Sequence, residues 1–459
     1  MTDSGLRTES QRSPSLVLRT HLEQGCWQRF ALSEQKQLVT CRMPWPYPID
    51  PFSLLDAPGK CWRFFWRDRE STVIKVGLGD VLSLKASDHP YLQRTGQESW
   101  FIALPFATGQ DQGANWGQLQ QGFVILPQVE WRLAGGKTEI TVRLLQDSAS
   151  DLTQDERDLS SVLRDILPLT LAKCSRELQM PSQVRDEPGF SSWQDMVNAA
   201  IAEIRQASLA KVVLSRSKVL DFARSIDLAP MMQRLSQMTE TSYLFAVRGP
   251  DGNGFVGRSP ERLLAWNSSN YYVDAIAGTR ARSATLTDDF TEASELRSSL
   301  KDLSEHRFVS SYVAMILNQY CTHIENIEQE SLLRLQNVQH IRSRFRGVRD
   351  LQKSPFALLR DLHPTPAVGG IPKEAANAFI AEHEKLNRGL FAGAFGCVMG
   401  EKEGDLAIGI RSALVHDNKL HLFAGAGIVE ASDPKWEWQE TEVKMKNFMD
   451  LFPQVQAKS

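Results

Sequence analysis

The sequence predicts an α+β protein with antiparallel sheets. Segments of strand-like alternation are interleaved with segments of helical periodicity, but the regular strand–helix–strand spacing of a doubly wound sheet is missing. The 459 residues are 42% hydrophobic and 23% charged, which is typical of a globular protein rather than of a disordered or fibrous chain. We therefore expect a globular fold in which helices pack against antiparallel strands.

The N-terminal part of the chain is rich in predicted strands. Gly135 and Gly136 separate two strand-like runs and indicate a hairpin, because a phosphate-binding loop would need glycine where Trp131 stands. Residues 175–190 contain prolines and several charges, so they form the best candidate linker. The predicted N-terminal strands cover residues 62–66, 71–76, 122–126, 131–133 and 140–144.

The C-terminal part alternates helices with strands. Ser192 followed by Asp195 is close to a capping box and predicts the start of a helix. Asp417 and Asn418 mark the turn of a hairpin, and Pro372 suits the first turn of a helix. Further strands are predicted at 211–215, 255–257, 406–415 and 419–429, and further helices at 288–320, 372–386 and from 433 onward.

Charge and cysteine usage narrow the classes of function. The 52 basic and 55 acidic side chains give a formal net charge of −3, so we expect no nucleic acid partner. Four arginines between residues 342 and 349 have only Phe345 as a stacking residue, which favours a solvated strand face over an RNA site. No run approaches the ~18 apolar residues of a membrane span, and none has the length of a signal-peptide core. The six cysteines form no CxxC pair, which indicates a reduced, cytoplasmic protein.

Two charged residues in apolar surroundings are candidates for acid–base chemistry. Lys211 shares a strand face with Val213 and Ser215, and a lysine in a partly apolar site loses its proton more easily. An ordinary lysine with its amine in solvent is the alternative that the strand alone favours. Glu261 lies in a turn directly after a strand, where burial would raise its pKa and make it a general acid. Its alternative is a surface ion pair with one of the flanking arginines.

Two acidic pairs lie at helical spacing. Asp302 and Glu305 are three residues apart and share a helix face, and the same holds for Glu437 and Glu440, with Lys444 four residues further on. Carboxylates brought together from two helices make an oxygen-only site that suits Mg²⁺. For either pair alone, a solvated helix face is the simpler interpretation.

A series of short motifs follows in order between about residues 195 and 450. They are 209–216 (LAKVVLSR), 257–262 (GRSPER), 277–280 (AGTR), 304–306 (SEH), 338–341 (VQHI), 363–368 (HPTPAV), 410–413 (IRSA), 423–429 (FAGAGIV) and 437–440 (EWQE). This ordered set resembles the chorismate-utilising enzymes, which include isochorismate, anthranilate, aminodeoxychorismate and salicylate synthases. Residues 125–132 are similar to the menaquinone-pathway isochorismate synthases, although the rest of the N-terminal part matches weakly.

The resemblance implies a fold and a reaction. The fold would be one large α+β unit with two layered antiparallel sheets and helices packed outside. Within it we expect a disordered tail at residues 1–14, an N-terminal β-rich part at 15–190 and a chorismate-binding catalytic region at 191–455. The implied reaction is the Mg²⁺-dependent, reversible conversion of chorismate to isochorismate, in which water adds at C2 and the C4 hydroxyl leaves.

The resemblance also implies roles for particular residues. Lys211 would be the base that activates water, and Glu261 would be the acid that protonates the departing hydroxyl. His340 and His363 could contact substrate or be structural, with neither role favoured. The implied metal ligands are Glu305 and Glu440, with Glu437 and Asp302 as outer or water-mediated partners. The implied substrate-binding residues are Gly278, Thr279, His340, His363, Ala367, Val368, Ile410, Arg411, Phe423, Gly425, Gly427 and Lys444.

Differences inside the family favour isochorismate synthase. By this resemblance, the motif of aminodeoxychorismate synthases has a lysine where this chain has Ala277. Anthranilate synthases lack a lysine at the position of Lys211. We expect no glutaminase subunit, because ammonia is not a substrate of the implied reaction. Salicylate synthase, an isochorismate synthase of a siderophore pathway and a catalytically silent paralogue remain alternatives.

Overall fold

Two antiparallel sheets dominate the computed structural model of the protein. It describes residues 27–45, 47–85, 98–107, 116–147, 161, 177–238 and 241–453. One sheet has 13 strands and the other has nine, and every pairing between neighbouring strands is antiparallel. The predicted fold class is confirmed, whereas the predicted disordered tail lies outside the described residues.

The strands differ widely in length, from two to 14 residues. In chain order they are β1 (Trp27–Ala31), β2 (Lys36–Pro44), β3 (Arg63–Arg67), β4 (Val73–Leu78), β5 (Leu82–Leu84), β6 (Trp100–Leu104), β7 (Phe123–Leu126), β8 (Val129–Ala134), β9 (Lys137–Asp147), β10 (Gln183–Glu187), β11 (Lys211–Asp221), β12 (Tyr243–Arg248), β13 (Gly254–Ser259), β14 (Arg262–Trp266), β15 (Asn270–Ala281), β16 (Cys321–Arg334), β17 (Val338–Arg349), β18 (Gly370–Ile371), β19 (Ala394–Met399), β20 (Glu403–Ile408), β21 (Ser412–His416) and β22 (Lys419–Ile428).

The helices of the described chain lie almost entirely in its C-terminal part. None of them combines the length and the apolar character needed to cross a bilayer. They are α1 (Phe190–Arg205), α2 (Leu228–Ser236), α3 (Leu286–Ser298), α4 (Leu300–Tyr320), α5 (Pro355–Leu362), α6 (Lys373–His383) and α7 (Pro434–Met449).

The N-terminal strands join both sheets. The first sheet has the order β1-β2-β9-β8-β4-β3-β12-β13-β21-β22-β11-β10, with β18 also paired to β11. The second sheet has the order β16-β17-β15-β14-β20-β19-β6-β7-β5. The division of the chain at residue 190 stays a prediction.

The main core packs the two sheets together through aromatic rings. Phe245 on β12 stacks on Phe395 on β19, and Phe64 on β3 stacks on Phe101 on β6, each pair with ring centroids 4.7 Å apart. All four rings are at most 1% exposed, and burying one such side chain stabilises the fold by roughly 1.5–3 kcal/mol. A second core, which includes residues of α2 and Phe448 of α7, covers the other face of the first sheet.

Two predicted local features near residue 190 differ in the structure. The candidate linker contains β10, which pairs with β11 at the edge of the first sheet. Pro181 and Pro188 flank this strand rather than interrupt it, so its backbone donors remain available for the ladder. Helix α1 begins at Phe190 after Gly189, and no side-chain cap from Ser192 is formed.

Two long segments that the sequence predicts as continuous are divided. The helix predicted at 288–320 breaks at Ser299, whose hydroxyl accepts the Asp302 N–H and so caps α4. The strand predicted at 406–415 breaks before Ser412, because Arg411 adopts a left-handed φ of 49°. Its first half belongs to β20 in the second sheet, and its second half is β21 in the first sheet. The hairpin turn at Asp417 and Asn418 is confirmed.

A buried arginine provides a test of this packing. Arg143 on β9 is 1% exposed and donates hydrogen bonds to Glu98 and to Glu130, the latter over 2.7 Å. Arg143→Met would leave two buried carboxylates without their partner, so we expect a loss of about 3–5 kcal/mol in the free energy of unfolding. Urea denaturation measures it. The control Arg132→Met removes an exposed pair with Glu139 and should change this free energy by less than about 1 kcal/mol; equal losses would contradict the account.

Candidate active site

The candidate site lies where the chain passes twice from one sheet to the other. Pro260 and Glu261 connect β13 to β14, and residues 409–411 connect β20 to β21. The two crossings are joined by hydrogen bonds, because Ile408 N–H donates to Glu261 O over 3.1 Å and Arg258 N–H donates to Arg411 O over 2.9 Å. A cavity that is partly open to solvent lies beside them. Its lining combines apolar side chains with a few polar and charged groups, which is typical of a site for a small molecule.

Most of the predicted site residues line this one cavity. They are Glu261, Gly278, Thr279, Glu305, His340, Ala367, Val368, Ile410, Arg411, Phe423, Gly425, Gly427 and Lys444. His363 is not among the lining residues. It is half-buried, its Nε2–H donates to Pro105 O over 2.9 Å, and the loss of hydration lowers its pKa to about 4.

Lys211 is completely buried and reaches the cavity through Glu305. Its Nζ lies 3.1 Å from Glu305 Oε1, and Val213 and Ser215 on the same strand face line the cavity. The alternative of a lysine with its amine in solvent is therefore wrong. Gly427 permits this approach, since a Cβ there would lie 2.3 Å from Glu305 Oε1. Although burial opposes ionisation of Glu305, Lys211 and Lys444 hold its pKa below the ordinary value.

Glu261 has the environment of a protonated carboxyl. Burial, followed by the nearby charge of Asp274, raises its pKa to about 8, while Lys211 and Lys444 oppose the shift. Asp274 is itself buried and is paired with Arg69, a residue of the N-terminal part of the chain. At neutral pH the Glu261 carboxyl therefore carries a proton that it can donate.

Arg262, the arginine next to Glu261, is not its ion-pair partner. Arg262 directs its guanidinium to Glu70 and Asp405, with N–O distances of 3.3 Å to each. Because the Glu261 side chain is also only 2% exposed, the alternative of a surface ion pair is wrong.

The other predicted metal ligands are each paired with a cation. Lys301 contacts Glu437 at 2.6 Å, Lys444 contacts Glu440 at 2.6 Å, and Arg280 contacts Asp302 at 2.8 Å. In the part of the chain that the structure describes, no three His, Cys, Asp or Glu side chains converge as a ready metal cluster.

The chemistry of these four acids nevertheless fits a hard cation. They supply only carboxylate oxygens, and Mg²⁺ needs few protein ligands because it keeps several waters. Burial and the charge of Glu440 raise the pKa of Glu437 to about 7. The pKa of Lys301 is raised: burial opposes its charge, but Glu437, Glu440 and Glu305 together favour it. A cation placed among these mutually repelling charges would be attracted to all of them.

Arg411 and His340 form a fixed pair on the cavity wall. Arg411 Nη2 donates to His340 Nε2 over 3.0 Å, so the ring proton of His340 must be on Nδ1, which faces Gly278 O at 3.2 Å. Burial, together with Arg411 and Lys444, holds the pKa of His340 well below its ordinary value. The left-handed backbone of Arg411 costs roughly 1–3 kcal/mol, a strain typical of functional sites.

Sequence reasoning missed part of the cavity wall. Arg388 is the most informative omission, since it is a charged residue with 1% exposure. The spacing of Glu384 four residues before Arg388 is a weak signal, because both residues follow the end of α6 and are not paired by a helix. The lining residues without a predicted role are Val213, Ser215, Pro260, Ile276, Ala277, Arg388, Phe391, Ala392 and Ala424.

The cavity is lined by a protonated carboxyl and by cationic groups, and a buried lysine lies behind its wall in contact with Glu305. This arrangement is typical of an enzyme that acts on an anionic small molecule. The chain belongs to the family of chorismate-binding enzymes, because the family model described as "Chorismate binding enzyme" matches residues 25–452.

Similar proteins span most of the chain. The isochorismate synthase MenF of Escherichia coli (strain K12) is 30% identical over 88% of this chain and 92% of its own length. The isochorismate synthase MenF of Bacillus subtilis (strain 168) is 29% identical over 87% and 90%. The chloroplastic isochorismate synthase of Catharanthus roseus is 33% identical over 73% of this chain, which spans 59% of that longer protein.

Solved structures show the same fold. The structure of the menaquinone-specific isochorismate synthase MenF from Escherichia coli superposes with a TM-score of 0.81 at 26% identity, covering 97% of this chain and all of that one. Anthranilate synthase component I from Streptococcus pneumoniae TIGR4 superposes with a TM-score of 0.63 at 18% identity, covering 89% of this chain and 92% of that one. The latter likeness concerns the fold alone.

The protonation of Glu261 can be measured directly. We expect an infrared band of a protonated carboxyl that disappears with a midpoint near pH 8 and is missing in Glu261→Gln, because burial and Asp274 disfavour the anion. Infrared difference spectra over a pH titration provide the measurement. The control Glu139→Gln changes an exposed strand residue and should leave the band in place. A midpoint near the ordinary glutamate value of 4.5 would contradict this account.

Proposed function

We propose that the protein is an isochorismate synthase of the menaquinone-pathway type, which converts chorismate reversibly to isochorismate with Mg²⁺ as cofactor. The single observation that carries the proposal is that a buried lysine, Lys211, and a carboxyl of raised pKa, Glu261, both lie beside one cavity. Relatives that match about nine tenths of the chain are named isochorismate synthases, which supports the same conclusion.

The reaction needs a base and an acid at different positions of the ring. Water is a poor nucleophile at neutral pH, so we assign to Lys211 the removal of a proton from the water that adds at C2. Hydroxide is a poor leaving group, so we assign to Glu261 the donation of a proton to the C4 oxygen. The double bonds shift as the C2–O bond forms and the C4–O bond breaks. A positioned acid or base typically contributes roughly 10²–10⁴-fold to the rate.

Chorismate carries two carboxylates, and the cavity offers cationic and backbone groups for them. Arg411 is held by His340 and can present its planar guanidinium to the pyruvyl carboxylate. Gly425 and Gly427 on β22 line the same cavity, and we assign them to the binding of this carboxylate as well. We assign Lys444 to the cavity as well, where it bridges Gly425 O at 2.9 Å and Glu440.

The proposed metal ligands serve the other carboxylate, which is on the ring. Glu305 and Glu440 would hold Mg²⁺, with Asp302 and Glu437 as outer or water-mediated partners. When bound, Mg²⁺ supplies positive charge that fixes and polarises a substrate carboxylate. Glu305 would then exchange its contact with Lys211 for the metal, and Glu440 would exchange its contact with Lys444.

The alternative function is that of a salicylate synthase, which would need a cavity shape that promotes the loss of pyruvate from isochorismate. Salicylate forms when isochorismate eliminates pyruvate, as a hydrogen moves from C2 to the side chain. The enzyme can promote this step only by orienting the enolpyruvyl group, because no additional base is needed. We propose that the lining residues that fix this orientation favour release of isochorismate. They are Ala367, Val368, Ile410 and Phe423.

Incubation with chorismate tests the function. We expect a reversible interconversion of chorismate and isochorismate, with little salicylate and with no requirement for glutamine or ammonia. Chromatography after a long incubation at neutral pH quantifies both acids and pyruvate. Stoichiometric pyruvate and salicylate, above the decay of isochorismate without enzyme, would move the protein to the salicylate synthases. Absence of any turnover would contradict the proposal altogether.

Variants show whether the assigned groups cause that turnover. Lys211→Ala and Glu261→Ala should each lose about 10²–10⁴-fold in kcat. Because the acid must be protonated, the activity of the wild type should fall as pH rises through about 8. Lys419→Ala, at the exposed start of the neighbouring strand β22, is the control and should keep full activity.

The metal site is tested by binding as well as by activity. Glu305→Gln and Glu440→Gln each remove one negative charge from the proposed ligands, so we expect at least a 10-fold weaker affinity for Mg²⁺ and a large loss of turnover. Calorimetric titration with Mg²⁺ measures the affinity, and Glu430→Gln, an exposed residue just before α7, is the control. Full activity of the wild type in excess EDTA would contradict the assignment.

A further inference from the structure

One edge of β11, the strand that carries Lys211, is only partly covered by other strands. Its pairing with β18 includes Lys211 and Val212, and its pairing with β10 begins again at Ser217. Between the two, Val213 N–H donates to Gly369 O over 2.7 Å, but the ladder of paired strands is interrupted. The interruption falls at Val213 and Ser215, which both line the cavity.

An ion pair takes the place of a strand at this interruption. Glu384 Oε2 accepts the Ser215 N–H over 3.0 Å, and Arg388 Nη2 donates to Val213 O over 2.8 Å. The two side chains bind each other through two hydrogen bonds, Nε to Oε1 over 2.7 Å and Nη2 to Oε2 over 2.6 Å. Both side chains are 1% exposed, so the pair is sealed from solvent.

The same guanidinium also holds the neighbouring loop of the cavity wall. Arg388 Nη1 donates to Val368 O over 2.8 Å, and the guanidinium lies over the ring of Phe106 at 4.2 Å from its centroid. Four of the five N–H donors of Arg388 are thereby used within the protein. Arg388 is thus committed to the backbone of the cavity rather than to a ligand.

Stability alone does not explain this arrangement. A buried ion pair loses several kcal/mol of hydration per ion, and apolar residues of similar volume often stabilise a fold equally well or better. What apolar residues cannot do is join two carbonyls and one N–H in a fixed geometry. Here those three groups belong to the strand of Lys211 and to the loop that carries Ala367 and Val368.

We propose that Glu384 and Arg388 are positioning residues for the reaction, which set the distance between the strand that carries Lys211 and the loop at Val368. This inference rests on the proposed function, since the reaction places Lys211 against the water and Val368 against the ring. A displacement of about 1 Å at such a contact can cost on the order of 10²-fold in rate.

The experiment separates positioning from stability with the apolar double variant Glu384→Met/Arg388→Met. We expect its melting temperature to fall, because the Ser215 N–H and the carbonyls of Val213 and Val368 lose their partners, so kinetics are compared at a temperature where both proteins are fully folded. We also expect its kcat/KM for chorismate to fall about 10²-fold, with the loss mainly in kcat and with unchanged affinity for Mg²⁺. Arg388→Lys, which keeps the charge but not the planar fork, should show a similar loss of kcat.

A matched control removes a buried arginine elsewhere. Arg143→Met should lower stability but leave the kcat/KM of the folded enzyme unchanged, because Arg143 does not line the cavity. Wild-type kcat/KM in the folded apolar double variant would overturn the inference, since the pair would then be only structural. Amide hydrogen exchange, expected to be faster at Ser215 in the double variant, tests the positioning without turnover. If the wild type does not convert chorismate, the proposed function fails, and unchanged exchange at Ser215 would overturn the positioning separately.

Discussion

The candidate site depends on two neighbouring connections between the two sheets, at residues 260–261 and at residues 409–411. Glu261 lies on one crossing and Arg411 on the other, and backbone hydrogen bonds between the crossings keep them side by side. A residue on such a connection is enclosed by both sheets at once, because strands continue away from it in each direction. This constraint buries a carboxyl and presents a guanidinium at one cavity, where chemistry on an anionic ring requires both.

Burial at this junction makes every charge dependent on a partner. Lys211 has Glu305, Glu437 has Lys301 and Asp302 has Arg280, whereas the Glu261 carboxyl is kept neutral by its raised pKa. An isolated buried ion would be very costly, so each charge is either paired or removed by protonation. The proposed exchange of lysine contacts for Mg²⁺ follows from the same rule, since the carboxylates need a cation whether or not the metal is bound.

The sequence predicts the reacting residues of this site better than the backbone features and the ion pair that hold them in place. Ordered motifs identify the family, and strand alternation places Lys211, Val213 and Ser215 on one face, because both signals are local. The break at Ser299 is missed although its signal is local, because Ser299 and Asp302 have the spacing of a helix cap. The left-handed residue Arg411 is missed because its backbone conformation depends on tertiary contacts. The interrupted edge of β11 is likewise absent from any local pattern. The contacts of Glu384 and Arg388 with β11 and with Val368 form only in the folded protein, so no local pattern predicts them.

With a separate base and acid, the enzyme would add a water molecule at C2 while the C4 oxygen leaves as water. Brief conversion of chorismate in ¹⁸O-labelled water, followed by mass spectrometry of the isochorismate formed, measures this exchange. We expect one ¹⁸O atom in each new isochorismate molecule, located in the C2 hydroxyl. Isochorismate that retains its unlabelled oxygen would show an internal transfer of the hydroxyl. That result would contradict the assignment of Lys211 and Glu261 as separate base and acid.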